Sequence, residues 1–337
     1  MKKAFITGIT GQDGSFLAEY LLAAGYKVYG FARRDSWHRK HCSSHLANRI
    51  EVLFGDMSEG VDIADALQVS SPDEIYNLAS QSRPGESWSR PTETLIVNGL
   101  APVRLFEAVR HHCPEAHVYH ASSSEMYGAV GISPQNEETP FNPVNPYAAA
   151  KVYAHHMAGI YRKSYGLFIS CGILFNHESE RRPLHFLPQK VAYGAACAAE
   201  GIQTSSDLNE MGKPIVDNGK LSLGVLEVRR DWGYAGDFVK AMWLMLQAPV
   251  ADDYVIGTGL SHSLKDLCHA AYDSVGLDWR EYVISDPALV RPIETGNTVA
   301  DPQKAHELLG WSPLTGFESM IGLMVEHQRK RLRAQHS

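Results

Sequence analysis

Nowhere in the sequence do about 18 apolar residues run without interruption, so no membrane-spanning helix is expected. The start, Met-Lys-Lys-Ala-Phe-Ile-Thr-Gly, lacks the long apolar core and cleavage site of a secretory signal, and none is expected. Cysteine is sparse: five in 337 residues, at Cys42, Cys113, Cys171, Cys197 and Cys268. They are odd in number, scattered, and form no CxxC pair or metal-ligand spacing, which points to reduced thiols in a cytoplasm. His38, His41 and His45 are irregularly spaced and read as solvated loop residues, so no metal is predicted. Positive charge is also short. A net charge of −7 argues against general nucleic-acid binding, so an anionic ligand needs locally placed positive groups. Internal repeats and low-complexity tracts are absent. What remains is 44% hydrophobic and 20% charged residues, an ordinary globular balance with ample core for one large or two modest domains.

Short apolar runs alternate with helical patterns through the first 175 residues. Strands are predicted at Lys3–Thr7, Lys27–Phe31, Ile50–Phe54, Glu74–Leu78, His117–Ala121 and Leu167–Leu174, with helices at about Gly14–Ala24, Ile63–Val69, Thr92–His112 and Pro146–Tyr165. Nearly continuous apolar strands alternating with helices predict an α/β protein with a Rossmann-type, doubly wound parallel sheet. The long connections Ala79–Pro91 and Ser122–Asn145 leave the carboxyl ends of strands, where such sheets bind ligands. After Phe175 the pattern loosens. Helices are expected near Val191–Ala199, Phe238–Gln247, Ser263–Val275, Pro302–Leu309 and Phe317–Lys330, and a strand near Asp253–Ile256. Residues 1–175, with part of 232–258, are assigned to a cofactor domain, and 176–337 to a smaller, partly interleaved substrate domain.

Thr7-Gly8-Ile9-Thr10-Gly11-Gln12-Asp13-Gly14 lies between the first strand and the first helix. Gly8, Gly11 and Gly14 allow a tight turn and close approach of backbone to a pyrophosphate at the helix N-terminus, with Gln12 and Asp13 alongside. The spacing GxxGxxG is the form seen in short-chain dehydrogenase/reductases. The second strand ends on Arg33 and Arg34, where NAD-binding proteins usually carry an acidic residue. Two arginines suit a 2′-phosphate, so NADP is favoured. Asp56, after the third strand, is placed either to meet the adenine or to cap a helix.

Tyr147-Ala148-Ala149-Ala150-Lys151 puts a phenol and an amine one helical turn apart on one face. An ammonium beside a phenol favours the phenolate and so makes a base. Upstream, Ala121-Ser122-Ser123-Ser124-Glu125 leaves the fifth strand and delivers a hydroxyl and a carboxylate towards the same helix.

These elements, with Asn77-Leu78-Ala79 and Ser-Ser-Ser-Glu125-Met-Tyr-Gly, resemble the extended short-chain dehydrogenase/reductases acting on nucleotide sugars. Asn176-His177-Glu178-Ser179 followed by Arg181-Arg182, and Arg229-Arg230-Asp231-Trp232-Gly233, are similar to the GDP-mannose 4,6-dehydratase family. The likeness runs to about residue 330. It implies a dehydratase in which Tyr147 takes the sugar 4-hydroxyl proton as hydride passes from C4 to NADP. Glu125 then moves the C5 proton and assists loss of the C6 hydroxyl, and hydride returns to C6. Ser123, where the family commonly has threonine, would hydrogen-bond the 4-oxygen, and Lys151 would also hold the nicotinamide ribose. Leu78 and Ala79 would line the cofactor. The resemblance further places Asn176, Lys190, Arg230, Arg291 and Glu294 around the nucleotide of a GDP-sugar, and implies a homo-oligomer, dimer or tetramer. The cations suit a diphosphate, and Glu294 could accept from guanine N1 and N2.

Two departures fall in the substrate domain. Pro183-Leu184-His185 stands where the family continues with glycine and an acidic residue, and the stretch Gln203–Gly219 is longer than typical. GDP-mannose is therefore joined as a candidate substrate by a GDP-heptose or another GDP-hexose. An epimerase or 4-reductase on the same fold would not need Glu125, and a non-catalytic NADP-binding protein would not need Tyr147, Lys151, Ser123 and Glu125 together.

Overall fold

Alternate residues of the first strand lead into two different cores. In Lys3–Thr7 (β1), Ala4 and Ile6 join one buried cluster and Phe5 another, the two-residue period of a strand covered on both faces. The computed structural model describes residues 1–38, 43–209, 211–286, 289 and 298–336. The next strands are β2 (Lys27–Ala32), β3 (Glu51–Phe54), β4 (Glu74–Asn77), β5 (His117–Ser123) and β6 (Ile169–Leu174). They join the strand Asp253–Ile256 in a seven-stranded sheet, ordered Asp253–Ile256, β6, β5, β4, β1, β2, β3. Every neighbouring pair runs parallel. Strand order reverses between β1 and β4, the switch point at whose carboxyl ends open α/β sheets bind ligands.

The chain divides into two units. The first holds Met1–Phe175, Ala235–Ile256 and Ala300–Ser312. One face of its sheet is covered by the helices Gln12–Ala23 and Ala235–Gln247 through Leu17, Leu21, Met242 and Met245. The other is covered by Gly60–Ser70, Ala101–His112 and Pro146–Tyr165 through Leu67, Leu105, Phe106 and Ala158. Ala300–Ser312, expected in the second domain, belongs here, because Trp311 enters the first cluster and its Nε1 donates to the Asp237 carbonyl at 2.9 Å.

The predicted continuous helix Thr92–His112 is interrupted. Pro91–Leu95 is α-helical, Ile96–Leu100 is a π-helix, and Ala101–His112 resumes the α-helix. The break coincides with Pro102, which has no N–H for the carbonyl of Asn98 four residues earlier, and with Asn98, whose side chain bonds across to a loop. Its Oδ1 accepts from Ser80 Oγ (3.0 Å) and Gln81 N (2.8 Å), and its Nδ2 donates to Gln81 O (2.9 Å). Such π-bulges concentrate at functional sites.

The second unit holds Asn176–Tyr234, Gly257–Val299 and Pro313–Ser337. The helices Leu187–Ala199, Leu264–Asp273 and Phe317–His336 share a core of Tyr193, Leu267, Met320, Ile321 and Met324. The polar stretch flagged above ends in the strand Val216–Asp217, part of a three-stranded sheet with Lys220–Leu223 and Val283–Ser285. Among the described residues, no helix is long and apolar enough to cross a membrane.

Candidate active site

The turn after β1 is shaped by what it must approach. Gly8 sits at φ +70°, and a Cβ there would stand 2.8 Å from Ala79 N and from Leu78 C, the backbone leaving β4. A Cβ at Gly14 would stand 2.4 Å from Gly8 O. Both positions exclude a side chain, and the chain there packs directly against its own backbone. Gly11 is the N-cap of the helix Gln12–Ala23, which no side chain caps, so its first-turn N–H groups suit an anion. Gln12 is buried, with its Nε2 donating to Asp13 Oδ1 at 2.9 Å. Thr7, unremarked from sequence, ties the two strand ends together. Its Oγ1 accepts from Leu78 N and Ala79 N, both at 3.0 Å, and donates to Asn77 Oδ1 at 2.9 Å.

At the end of β2 both arginines are exposed. Arg34 opens the short helix Arg34–His38 and lays its guanidinium over the Phe54 ring, 4.6 Å from the centroid. Arg33 lies 3.8 Å from Asp35. Asp56 accepts through Oδ1 from Ser58 N and Ser58 Oγ, each at 2.8 Å. It thereby closes a local turn, while Glu59 takes the N-cap of the helix Gly60–Ser70.

The serine run is ordered, and β5 continues two residues beyond its expected end. Ser122 and Ser123 pair with Ile173 and Leu174 of β6. Ser124–Tyr127 then forms a 3₁₀ turn capped by Ser123, whose Oγ accepts from Glu125 N at 3.2 Å. Opposite, Asn145 caps the helix Pro146–Tyr165: its Oδ1 accepts from Ala148 N at 2.8 Å. Its Nδ2 donates to Glu125 Oε2 at 3.1 Å. Glu125 is half-buried, Tyr147 buried, and Lys151 only 4% exposed. The Lys151 ammonium lies 5.8 Å from the Tyr147 ring centroid and donates to Ala121 O at 2.9 Å. Burial draws its pKa from 10.5 down to about 8, because a dry environment disfavours the charged form. One small region thus holds a hydroxyl, a carboxylate, a phenol and an amine whose charge is easily changed.

Behind this group, His155 lies one turn beyond Lys151. Its Nδ1 is 2.9 Å from Ser122 Oγ and its Nε2 is 3.6 Å from Asp253 Oδ2. His155, Cys171 and Asp253 have ligand atoms within 4.8 Å of one another, but Asp253 Oδ1 is already met by Arg162 Nη2 at 2.5 Å. The negative charge a metal would need there has an organic cation on it.

Of the residues assigned to the nucleotide, Asn176, Lys190 and Arg230 lie in the second unit and are half-buried. Asn176 opens the strand Asn176–Glu178, paired in parallel with Trp232–Tyr234. Arg230 lies in the strand Arg229–Arg230, antiparallel to His262–Ser263. Arg291 and Glu294, like His41 and Cys42, lie outside the described residues. Asp231, fully buried between Arg230 and Trp232, was unassigned from sequence. It accepts from Thr258 N, Thr258 Oγ1 and Gly259 N at 2.7–3.1 Å. A carboxylate this well satisfied fixes the loop at 258–259, which explains why aspartate stands in the Arg-Asp-Trp-Gly string.

The parallel sheet, the glycine turn at its switch point and the YxxxK helix define a Rossmann-type short-chain dehydrogenase/reductase. Solved structures agree. The UDP-glucose 4-epimerase of Thermus thermophilus, in complex with NAD, superposes with a TM-score of 0.82 at 25% identity, covering 97% of this chain and 99% of that one. DesIV, the dTDP-glucose 4,6-dehydratase of Streptomyces venezuelae with NAD and TYD bound, gives 0.82 at 22% identity over 98% of both chains. RMD from Pseudomonas aeruginosa, complexed with NADPH, gives 0.80 at 21%, covering 98% of this chain and 100% of that one. At the level of sequence, the family described as GDP-mannose 4,6 dehydratase matches residues 5–324. GDP-mannose 4,6 dehydratase 1 of Arabidopsis thaliana is 42% identical, over 96% of this chain and 89% of its own length. The GDP-mannose 4,6-dehydratase of Vibrio cholerae is 36% identical over 98% and 94%. The chain belongs to the GDP-mannose 4,6-dehydratase family.

Proposed function

We propose that the chain dehydrates GDP-D-mannose to GDP-4-keto-6-deoxy-D-mannose, using NADP as its nicotinamide cofactor. The observation that carries this reading is the convergence of Ser123 and Glu125, at the end of β5, with Tyr147 and Lys151 on the facing helix. The cradle at Gly8, Gly11 and Gly14, closed to any Cβ at Gly8 and Gly14, fits a dinucleotide pyrophosphate. Bound there, a nicotinamide supplies reversible oxidation at sugar C4 and reduction at C6, with no net redox change.

The side chains supply the proton movements. The Lys151 ammonium favours the Tyr147 phenolate, whose Oη takes the proton from the 4-hydroxyl and becomes the neutral phenol. Ser123 Oγ already accepts from Glu125 N, and its own O–H is the donor to the 4-oxygen. A 4-ketone acidifies the C5 hydrogen. Glu125 takes that proton onto its carboxylate and hands it to the C6 hydroxyl, which leaves as water, and C5 regains a proton from solvent as hydride reaches C6. Glu125→Gln keeps shape but cannot accept the C5 proton. It should retain binding of NADP and GDP-mannose while dehydration falls by roughly a hundredfold or more. Normal formation of the 4-keto product by this variant would remove Glu125 from the reaction. Running the same assay with a GDP-heptose separates the two sugars.

Arg33 and Arg34 support NADP over NAD, since two guanidinium groups just beyond β2, that of Arg34 resting on Phe54 of β3, suit a 2′-phosphate. Equal use of NAD would overturn that choice. Lys190 and Arg230 are assigned to the nucleotide diphosphate and Asn176 to the substrate, with Arg291 and Glu294 carried with them on family likeness. A homo-oligomer is also proposed. Leu95, Tyr153 and Ile160 are 40–49% exposed. Leu95 and Tyr153 flank Gly99, and Ile160 follows Tyr153 two turns along the same helix, an apolar surface suited to a second copy. A monomer mass by light scattering would contradict it.

A further inference from the structure

Asn145 has two separate jobs for its one carboxamide. Its Oδ1 accepts from Ala148 N at 2.8 Å and so caps the helix Pro146–Tyr165. That bond fixes which end of the amide is which, and the remaining end, Nδ2, donates to Glu125 Oε2 at 3.1 Å. Other holds on this segment are on its backbone: Glu125 N donates to Ser123 Oγ at 3.2 Å, Glu125 O accepts from Gly128 N at 3.1 Å and Met126 O accepts from Asn142 N at 3.1 Å. Two residues after Asn145 comes Tyr147, and six after it Lys151. The residue that starts the helix carrying the phenol and the amine therefore also touches the carboxylate across the cleft.

We propose that Asn145 is a positioning residue for Glu125, its carboxamide tying the proton-carrying carboxylate to the N-terminus of the helix that bears Tyr147 and Lys151. The proposal rests on the dehydratase reading above and adds a residue to it. Its physical basis is the directionality of a charge-assisted hydrogen bond. A half-buried carboxylate on a short 3₁₀ turn has several rotamers open to it, and a donor rooted in a helix cap selects one. The same bond sets the distance between the group that works at C4 and the group that works at C5 and C6, because both are referred to one side chain.

Aspartate and serine cap helices about as well as asparagine, so substitution can separate the two jobs. Asn145→Ser keeps a cap acceptor on a shorter side chain and removes the Nδ2 amide that reaches Glu125 Oε2. Asn145→Asp keeps the cap and sets a second carboxylate against Glu125. Each variant is assayed as the full chain with NADP and GDP-mannose, following thermal stability, reduced nicotinamide on the enzyme, and 4-keto-6-deoxy product. The expected result is near-native melting and normal oxidation at C4, with elimination slowed about tenfold to a hundredfold in Asn145→Ser, the range for losing a hydrogen bond to a charged group. Asn145→Asp should be slower still. Reduced nicotinamide would then accumulate while product lags. In a Glu125→Gln background, Asn145→Ser should add no further loss of elimination, since the bonded partner is already changed.

Wild-type elimination rates in both variants would overturn the proposal. So would an equal loss of C4 oxidation and elimination, which would make Asn145 a helix cap and nothing more. Glu125→Gln tested alone keeps the two failures apart. If it dehydrates normally, the dehydratase reading falls and takes this proposal with it. If it is inactive in elimination while the Asn145 variants are not, only the positioning role falls.

Discussion

Lys151 is a cation kept where a cation is costly. It is 4% exposed, its ammonium bonds one carbonyl, and burial brings its pKa from 10.5 to about 8. That drop corresponds to about 3 kcal/mol held against the charged form. The sign follows from the direction of the shift. Between about 8 and 10.5 the unfolded chain carries the extra proton, so stability rises with pH across that window and the burden is full below it. Lys151→Met keeps length and apolar stem. Allowing for the lost bond to Ala121 O, it should raise unfolding stability at neutral pH by about 2 kcal/mol, with the gain shrinking as pH rises from about 8 towards 10.5, while turnover falls roughly a hundredfold or more. Urea midpoints at pH 7 and pH 10 check the first part, and an unchanged or lowered midpoint at pH 7 would refute it. In the wild type, kcat/KM should decline as pH rises through about 8, because the charge that assists Tyr147 is lost there. The spacing of Tyr147 and Lys151 showed in the sequence because one helical turn is a local rule. The depth of burial that weakens the ammonium is set by tertiary packing, and no local pattern carries it.

The helix Pro146–Tyr165 does more than carry two catalytic groups. Tyr147, Lys151 and His155 recur every fourth residue, and Arg162 follows two turns later. His155 reaches Ser122 and Asp253, while Arg162 reaches Asp253 at 2.5 Å and the Ile169 carbonyl at 2.7 Å. These contacts fasten the helix to β5, β6 and the strand Asp253–Ile256, which keeps Tyr147 and Lys151 in register with Ser123. Burial lowers the His155 pKa, and the Asp253 charge only partly opposes it. Burial likewise sets His120, in the same strand as Ser122, well below its ordinary value. Both histidines are therefore neutral in the fold, and their contribution is intact above about 6.5. It is lost as pH falls towards the folded values, at up to about 1.4 kcal/mol per pH unit for each proton. His155→Gln can still bond Ser122, and it should flatten the loss of urea stability between pH 7 and pH 5 without abolishing it, since His120 remains. A slope equal to wild type would show that His155 does not contribute.

Elements were legible from sequence wherever the hydrophobic period alone decided them, as in β1 or the helix Phe317–His336. The π-helix at Ile96–Leu100 was not: the bonds that accompany it run from Asn98 to residues 80 and 81, seventeen or eighteen positions away. The two added residues of β5 have the same kind of origin. Ser122 and Ser123 look like loop formers, and pairing with β6 overrides that propensity.

On the scale of the molecule, the sequence crosses between the two units several times, and the first unit is completed by segments far along the chain. The return at Ala235–Ile256 supplies an edge strand and a covering helix, both visible as apolar runs. The return at Ala300–Ser312 was not visible, since the short helix Gln303–Leu309 buries little but Ala305. What anchors it is Trp311, 2% exposed, edge-on to Phe238 at 5.7 Å and hydrogen-bonded to Asp237 O. A single aromatic holding a returning segment in a core has a measurable consequence. Trp311→Ala should cost about 3–5 kcal/mol through the lost volume, a large share of a domain's typical total of about 5–15 kcal/mol. Trp311→Phe keeps most of the ring and loses the N–H donor, so it should cost clearly less. Because Trp311 joins the cluster that also contains Ile6, Ile9 and Leu17 around the glycine turn, the alanine variant should weaken NADP binding in parallel with its fall in urea midpoint. Native NADP affinity together with a native midpoint in Trp311→Ala would show that the segment is only laid against the first unit and does not complete its core.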